Sequence, residues 1–311
     1  MAYDLETINS RVRNDPAGFA LECEGAFNGD VANAADMIAK RIDKSRVVLL
    51  SGPSGSGKTT TAKKICDALE SLGIHATSIS MDKYFVTPDP DTAPRTSDGE
   101  IDKESPYCLD IELLISHFGM LERGEEIMIP HFNFKTQSQD SSRASPLKLS
   151  RDEIVVYEGI HALNDMLADT HPEAFKLYIS ARSDIERGGE VVFKRTWSRI
   201  MRRVVRDELF RGTGVADTLR MWANVRRGEK KYISPFKFKA DLLFDSSLEY
   251  EIPVMKTFAL KAFSKIPDDM ERSRELRSLL PVLKEFEEID SESVPADSIL
   301  REFIGGGKYE Y

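Results

Sequence analysis

The segment from residue 47 to residue 72 constrains this chain more than any other. Four apolar residues, Val47-Val48-Leu49-Leu50, run into Gly52-Pro-Ser-Gly-Ser-Gly57-Lys58-Thr59, and an amphipathic stretch at 59–72 follows. The pattern G-x-x-x-x-G-K-[S/T] between a strand and a helix is a phosphate-binding loop. Its residue types follow from the chemistry. Glycines let backbone N–H groups curl round an anion, and the helix start adds partial positive charge. Lys58 is placed to reach the β- and γ-phosphates, and the Thr59 hydroxyl to ligate Mg²⁺. The expected cofactors are therefore ATP and Mg²⁺. Gly52, Ser54, Gly55, Ser56, Gly57, Lys58, Thr59 and Thr60 are the expected nucleotide-binding residues.

From residue 46 onward, short apolar runs alternate with amphipathic ones: 47–50, 59–72, 76–81, and later 154–157 and 177–180. Continuous apolar strands separated by helical segments indicate a parallel sheet covered on both faces. The expected fold class is α/β, a doubly wound parallel sheet. One helix is expected at 30–42, where Val31, Ala34, Ala35 and Ile38 recur on one face. Another is expected at 268–289, with Asp268 and Glu271 at capping-box spacing and a kink at Pro281. Its apolar stripe is Met270, Leu276, Leu279, Leu280, Leu283 and Phe286. Residues 84–106 and 135–150 read as polar loops, the second partly disordered. The chain thus divides into an N-terminal helical extension (1–45), a phosphate-binding domain (46–265) and a C-terminal helical extension (266–311).

With 43 Lys+Arg against 52 Asp+Glu the net charge is −9, and 41% of residues are hydrophobic, enough for a sizeable core. Cys23, Cys66 and Cys108 lie far apart without a C-x-x-C pair, which excludes a disulfide framework or zinc finger. No apolar run is long enough to span a bilayer, and the opening MAYDLETINSRVRNDP has no apolar signal segment. A cytoplasmic protein without a membrane partner is expected.

Three further features bear on chemistry. Asp82 ends the second expected strand, at the edge where a parallel sheet presents its ligand crevice, and could accept a proton from an attacking hydroxyl. Glu158 follows the apolar run 154–157, a place for an acid that serves Mg²⁺. Residues 194–231 hold twelve Lys/Arg against four Asp/Glu. Within them Arg199, Arg202, Arg203 and Arg206 repeat at helical spacing, on one face, and Arg211 precedes Gly212-Thr-Gly214. Such a face suits a mobile lid that neutralises charge on a transferred phosphoryl group. A solvated helix surface or a nucleic-acid site would use the same residues. The acidic chain and the absence of a helix-turn-helix or aromatic RNA-binding signature argue against nucleic acid.

Several of these motifs occur in one order: GPSGSGKTTTAKKI, SMDKYF, IDKESPYCLDIELL, IPHFNF, VVYEGIHALN, RIMRRVVRDELFRGTGVADTLRMWANVRRGEKKYISPF and VPADSILREFIGGG. Together they resemble the uridine kinase/phosphoribulokinase family of P-loop kinases, most of all its bacterial uridine kinase-like nucleoside kinases. The resemblance implies a kinase-type sheet with an arginine-rich lid, and transfer of the ATP γ-phosphoryl group to the 5′-hydroxyl of a pyrimidine nucleoside. It implies Asp82 as general base, Asp102 as the ribose-holding acid, and Tyr84, Phe132, Phe134 and Gln137 as further substrate contacts. Thr59, Glu158 and Asp82 would serve Mg²⁺. Lys58, Arg203 and Arg206 would act on the transferred group, with Arg203 also touching substrate and Arg211 binding nucleotide. A dimer or tetramer is implied as well.

This sequence departs from uridine kinases proper, which have Tyr and His at the positions matching Phe132 and Gln137, and Arg in place of Thr213. A lost hydroxyl donor alters discrimination, so thymidine, cytidine or another hydroxyl compound stands beside uridine. Two alternatives remain open at this level. One is a kinase for another small alcohol, phosphoribulokinase- or pantothenate kinase-like. The other is a nucleotide switch or RNA-binding protein.

Overall fold

The computed structural model describes residues 2–267, 277 and 279–310. Its centre is a strand, Val47–Ser51, buried at every position. That strand pairs with Glu153–Glu158 on one side and Phe175–Ser180 on the other. His75–Ser80 lies outside the first neighbour and Leu242–Asp245 outside the second, and all four pairings are parallel. The expected parallel sheet is present. Chain order reverses at the central strand, so the crevice at its carboxyl edge is the topological switch point of the sheet.

Alternate residues of the central strand feed two cores, which is why it shows no polar face. Val48 and Leu50 join Ile65, Val156, Leu177 and Ile179. Val47 and Leu49 join Tyr157, Leu114 and Phe118 on the opposite side. Register then sets the site. Leu50 faces Glu158, and Ser80 faces Glu158 from the other neighbour. The residues just beyond Leu50, Glu158 and Ser80 therefore emerge side by side.

The first 45 residues are not an appendage. The helix Leu5–Asn14 starts at Asp4, whose carboxylate accepts the Thr7 N–H. The helix Pro16–Ala39 starts at Asp15, which accepts the Gly18 N–H. The second helix begins 14 residues before the expected start at 30. Gly18, Gly25 and Gly29 break its apolar periodicity, yet Gly25 and Gly29 face open space and disturb no packing. Phe19, Phe27, Val31, Ala35 and Ile38 enter the same core as Val48 and Leu50, and so do Leu283, Phe286, Leu300 and Phe303.

The expectation of partial disorder at 135–150 is corrected. Ser138–Gln139 pairs with Phe132–Asn133, and Ser145–Leu147 with Ile127–Ile129, both antiparallel. Asp140 caps the turn between them by accepting the Ser142 N–H. Of the expected helix at 268–289, the structure describes Leu279–Glu285, with Leu279 and Leu283 buried. Asp268, Met270, Glu271 and Leu276 lie outside the described residues. Among the described residues no helix is long and apolar enough to cross a membrane.

Candidate active site

The loop after the central strand is held by close packing. A Cβ at Gly52 would stand 2.1 Å from the Ile179 carbonyl oxygen, so only glycine fits. Gly57 has φ +81°, a left-handed conformation that glycine adopts without strain. It also caps the helix Lys58–Ser71 with no side-chain hydrogen bond. The first intrahelical bond runs from the Thr61 N–H to the Gly57 carbonyl (3.0 Å), leaving the N–H groups before it pointing out of the helix start. The Ser56 hydroxyl is buried with no hydrogen-bond partner. An anion seated in the loop would satisfy these donors, so the residues fit a nucleotide phosphate.

Lys58 Nζ donates to the Pro53 carbonyl at 3.3 Å. Burial pulls its ammonium pKa down, opposed by the charges of Glu158, Asp82 and Glu302. The Thr59 hydroxyl donates to Glu158 Oε1 at 3.1 Å. Burial pushes the Glu158 carboxyl up to about 7, against Lys58 and with Asp82 adding to the rise. A dication beside this hydroxyl–carboxyl pair would restore the ionised form, so Thr59 and Glu158 suit Mg²⁺. Asp82 is exposed in the turn Met81–Tyr84, its N–H donating to Ser80 Oγ at 3.3 Å, and its charge acts on both Lys58 and Glu158.

The arginine stretch forms the helix Arg195–Phe210, the turn at 211–214 and the helix Val215–Gly228. As the spacing predicts, Arg199, Arg202 and Arg203 turn one face to the phosphate loop, Arg202 donating to the Gly55 carbonyl at 3.3 Å, but two of them are also held by acids from other helices. Arg202 is fully buried and makes two 2.6 Å hydrogen bonds to Glu251. Arg199 makes a similar fork to Glu229 at 2.9 and 3.1 Å and donates to the Ser54 carbonyl. Their partners lie 49 and 30 residues away, so helical spacing alone could not separate these structural arginines from the rest. Arg203 and Arg206 differ. Arg203 donates to Ser54 Oγ at 2.9 Å, and both pair with Asp207. Arg211, more exposed, lies 3.8 Å from the same Asp207. The first helix is thus clamped to the phosphate loop, and the turn after it, with Gly212 at φ +63°, is tied back by the Thr213 N–H donating to the Asp207 carbonyl at 3.1 Å.

On the acceptor side, Asp102 is buried and taken by Arg227 (2.8 and 3.2 Å) and the Tyr232 hydroxyl (3.3 Å). Burial opposes its ionisation, but Arg227 outweighs that and holds the carboxyl below its usual range. Beside it stands Glu104, raised by burial, opposed by Arg203 and reinforced by Asp102 and Asp82. His161 is 1% exposed, edge-on to Tyr232, and neither ring nitrogen makes a well-formed hydrogen bond. The structure does not bring Tyr84 to this crevice. It is a core residue whose hydroxyl meets His117 Nδ1 at 2.9 Å and the Tyr157 hydroxyl at 3.3 Å. Phe132 is buried and Phe134 exposed, and together with Phe85 they form a ring cluster with centroids 5.0–5.9 Å apart. The Gln137 amide turns back onto the Phe134 carbonyl. Glu104, Arg227, Tyr232 and His161 were not singled out from sequence. The first is two residues from Asp102, and Arg227 stands in the basic run, but only the fold joins them.

A sequence model of the phosphoribulokinase / uridine kinase family matches residues 47–253, which span every strand of the sheet and both arginine helices. The chain belongs to that family. Membership places it among the P-loop phosphotransferases. This member of the family is 27% identical over 195 residues to a uridine kinase of Halobacterium salinarum, covering 62% of this chain and 77% of that one. It is 25% identical over 230 residues to a uridine kinase of Staphylococcus epidermidis, covering 72% and 100%. It is also 29% identical over 196 residues to an Arabidopsis thaliana inorganic pyrophosphatase, TTM2, but there the match spans only 26% of the relative's length. Among solved structures, a protein described as a fructose transport system kinase, from Silicibacter sp. TM1040, has a TM-score of 0.50 at 19% identity. It covers 69% of this chain and 98% of its own, a likeness of fold.

Proposed function

We propose that this family member is an ATP- and Mg²⁺-dependent kinase that phosphorylates the 5′-hydroxyl of a nucleoside, of the pyrimidine class. One observation supports the reading above the others. Lys58, the Thr59–Glu158 pair and Asp82 converge at one carboxyl edge of the sheet, within electrostatic reach of one another. Thr59 and Glu158 would hold Mg²⁺, with Asp82 nearby, and Mg²⁺–ATP supplies the phosphoryl group together with neutralising charge. The chain supplies position and electrostatics. Backbone N–H groups of the loop and the Ser56 hydroxyl seat the phosphates. Lys58 and Arg203 place positive charge where negative charge spreads during transfer. Asp82, exposed to the crevice, takes the proton of the acceptor hydroxyl on a carboxylate oxygen.

A second reading has its own support. With Asp102 engaged by Arg227 and Tyr232, and Gln137 turned onto its own turn, the acceptor side offers a cation rather than a free ribose-binding acid. That suits an alcohol bearing an anionic group. A coupled ADP-release assay with ribo- and deoxyribonucleosides, pantothenate and ribulose 5-phosphate separates the two. Stimulation by pyrimidine nucleosides is expected. Stimulation only by an anionic alcohol would replace the acceptor class, and no stimulation by any acceptor would remove the kinase reading.

A further inference from the structure

Residues 294–310 lie beyond the family-matched region and run along the phosphate-loop helix. Lys64, buried on that helix, donates to the Asp297 carbonyl at 2.8 Å and to its carboxylate at 2.7 Å. Ile299 packs against Gly57, where an added Cβ would stand 3.5 Å from its Cδ1. Gly305 approaches the Phe210 ring so closely that an added Cβ would stand 2.7 Å from it. Between these anchors lie Arg301, whose guanidinium is spent on carbonyls of its own segment, and Glu302, which is 8% exposed and turned to the loop helix. Its Oε2 accepts the Thr60 hydroxyl at 2.8 Å, and its Oε1 lies 3.9 Å from Arg206.

Glu302 thereby closes a chain of polar contacts round the phosphate loop. Arg206 forks onto Asp207, Asp207 pairs with Arg203, and Arg203 donates to Ser54 at the start of the loop. Thr60, at the other end of the loop, returns to Glu302. A buried carboxylate beside a triphosphate site is electrostatically adverse to the ligand, and its charge reaches Lys58. Its presence is explained if it fixes cationic and hydroxyl groups that must not move. We infer that Glu302 is a positioning residue of the nucleotide site, setting Thr60 and Arg206 in place from outside the matched domain. The inference rests on the loop binding a nucleoside triphosphate, as in the proposed function, and does not depend on the acceptor.

The charge separates this role from a merely structural one. Glu302→Gln keeps the shape and an acceptor for Thr60 but releases Arg206 and removes a repulsive charge. Affinity for Mg²⁺ plus a non-hydrolysable ATP analogue, measured by titration calorimetry, should rise by about threefold to tenfold. Turnover, with the best acceptor, should fall by about tenfold because Arg206 is misplaced in the transition state. Melting temperature and circular dichroism of Glu302→Gln and Glu302→Ala confirm that folded proteins are compared. Weaker analogue binding by folded Glu302→Gln, or unchanged affinity with turnover within twofold of the parent, would overturn the inference. If the parent binds the analogue but phosphorylates no acceptor, the kinase reading fails while the calorimetric comparison still decides the role of Glu302.

Discussion

Replacing Asp82 by Asn keeps its shape and removes its proton affinity, so turnover should fall by about 10²–10⁴, the size of a general-base effect. Steady-state kinetics at saturating ATP measure it, and near-parental turnover would remove Asp82 from the chemistry. His161 gives a prediction in pH. Burial lowers its folded pKa to about 4 from an ordinary 6.5, with nearby Lys58 lowering it further and Asp102 opposing. The unfolded chain takes up a proton that the fold refuses. The stability associated with neutral His161 is therefore fully present above about pH 6.5 and is lost as pH falls towards 4, up to about 3 kcal/mol. Urea unfolding of His161→Leu should show a shallower acid loss than the parent between those values, and parallel curves would contradict it. Lys58, Thr59, Glu158 and Asp82 were legible in the sequence because each belongs to a motif or strand end only a few residues long. Asp102 was legible as an acid but not as the partner of Arg227, 125 residues away. Tyr84 was expected at the site from the family resemblance, but a tight turn buries its side chain and leaves Asp82 exposed.

At the scale of the element, the helix Arg195–Phe210 turns three arginines to the phosphate loop and ties two of them to buried acids as well. Arg202 and Glu251 form a buried ion pair, and such a pair need add little net stability while being costly to break. Arg202→Met alone should destabilise by about 3–5 kcal/mol, because Glu251 is left charged and buried. Arg202→Met with Glu251→Leu should recover part of that loss, since the Gly55 and Ser246 carbonyls still lose their Arg202 donor, and denaturant titration of the three proteins checks the cycle. Equal losses in the single and double variants would mean that packing, not charge, dominates there. The helix itself was legible, since its arginines fall at helical intervals. The pairing of Arg199 and Arg202 with Glu229 and Glu251 was not. That pairing depends on acids contributed by other helices, which a local pattern does not contain. The hairpins within 127–147 escaped for a related reason: two- and three-residue ladders in a Ser-rich stretch have no period to read.

At the scale of the whole molecule, the sheet and its crevice were legible from the alternation of apolar runs and amphipathic segments, whereas the boundaries at 45 and 266 were not boundaries in the fold. Phe27, Val31 and Ile38 from one flank, and Leu300 and Phe303 from the other, fill the core behind the phosphate loop. Deleting residues 1–45 should therefore leave a protein that binds a hydrophobic dye and lacks a cooperative thermal transition. A sharp transition in the truncated chain would restore the extension as a separable unit. The bond between Thr60 and Glu302 joins residues 242 positions apart. At about 5–20 residues per second, the ribosome makes the second partner roughly 12–50 s after the first. The phosphate loop is thus finished well after it is translated, and a nascent chain halted before residue 294 would carry the whole sheet with its loop helix bare on one side, a natural client for chaperones in that interval.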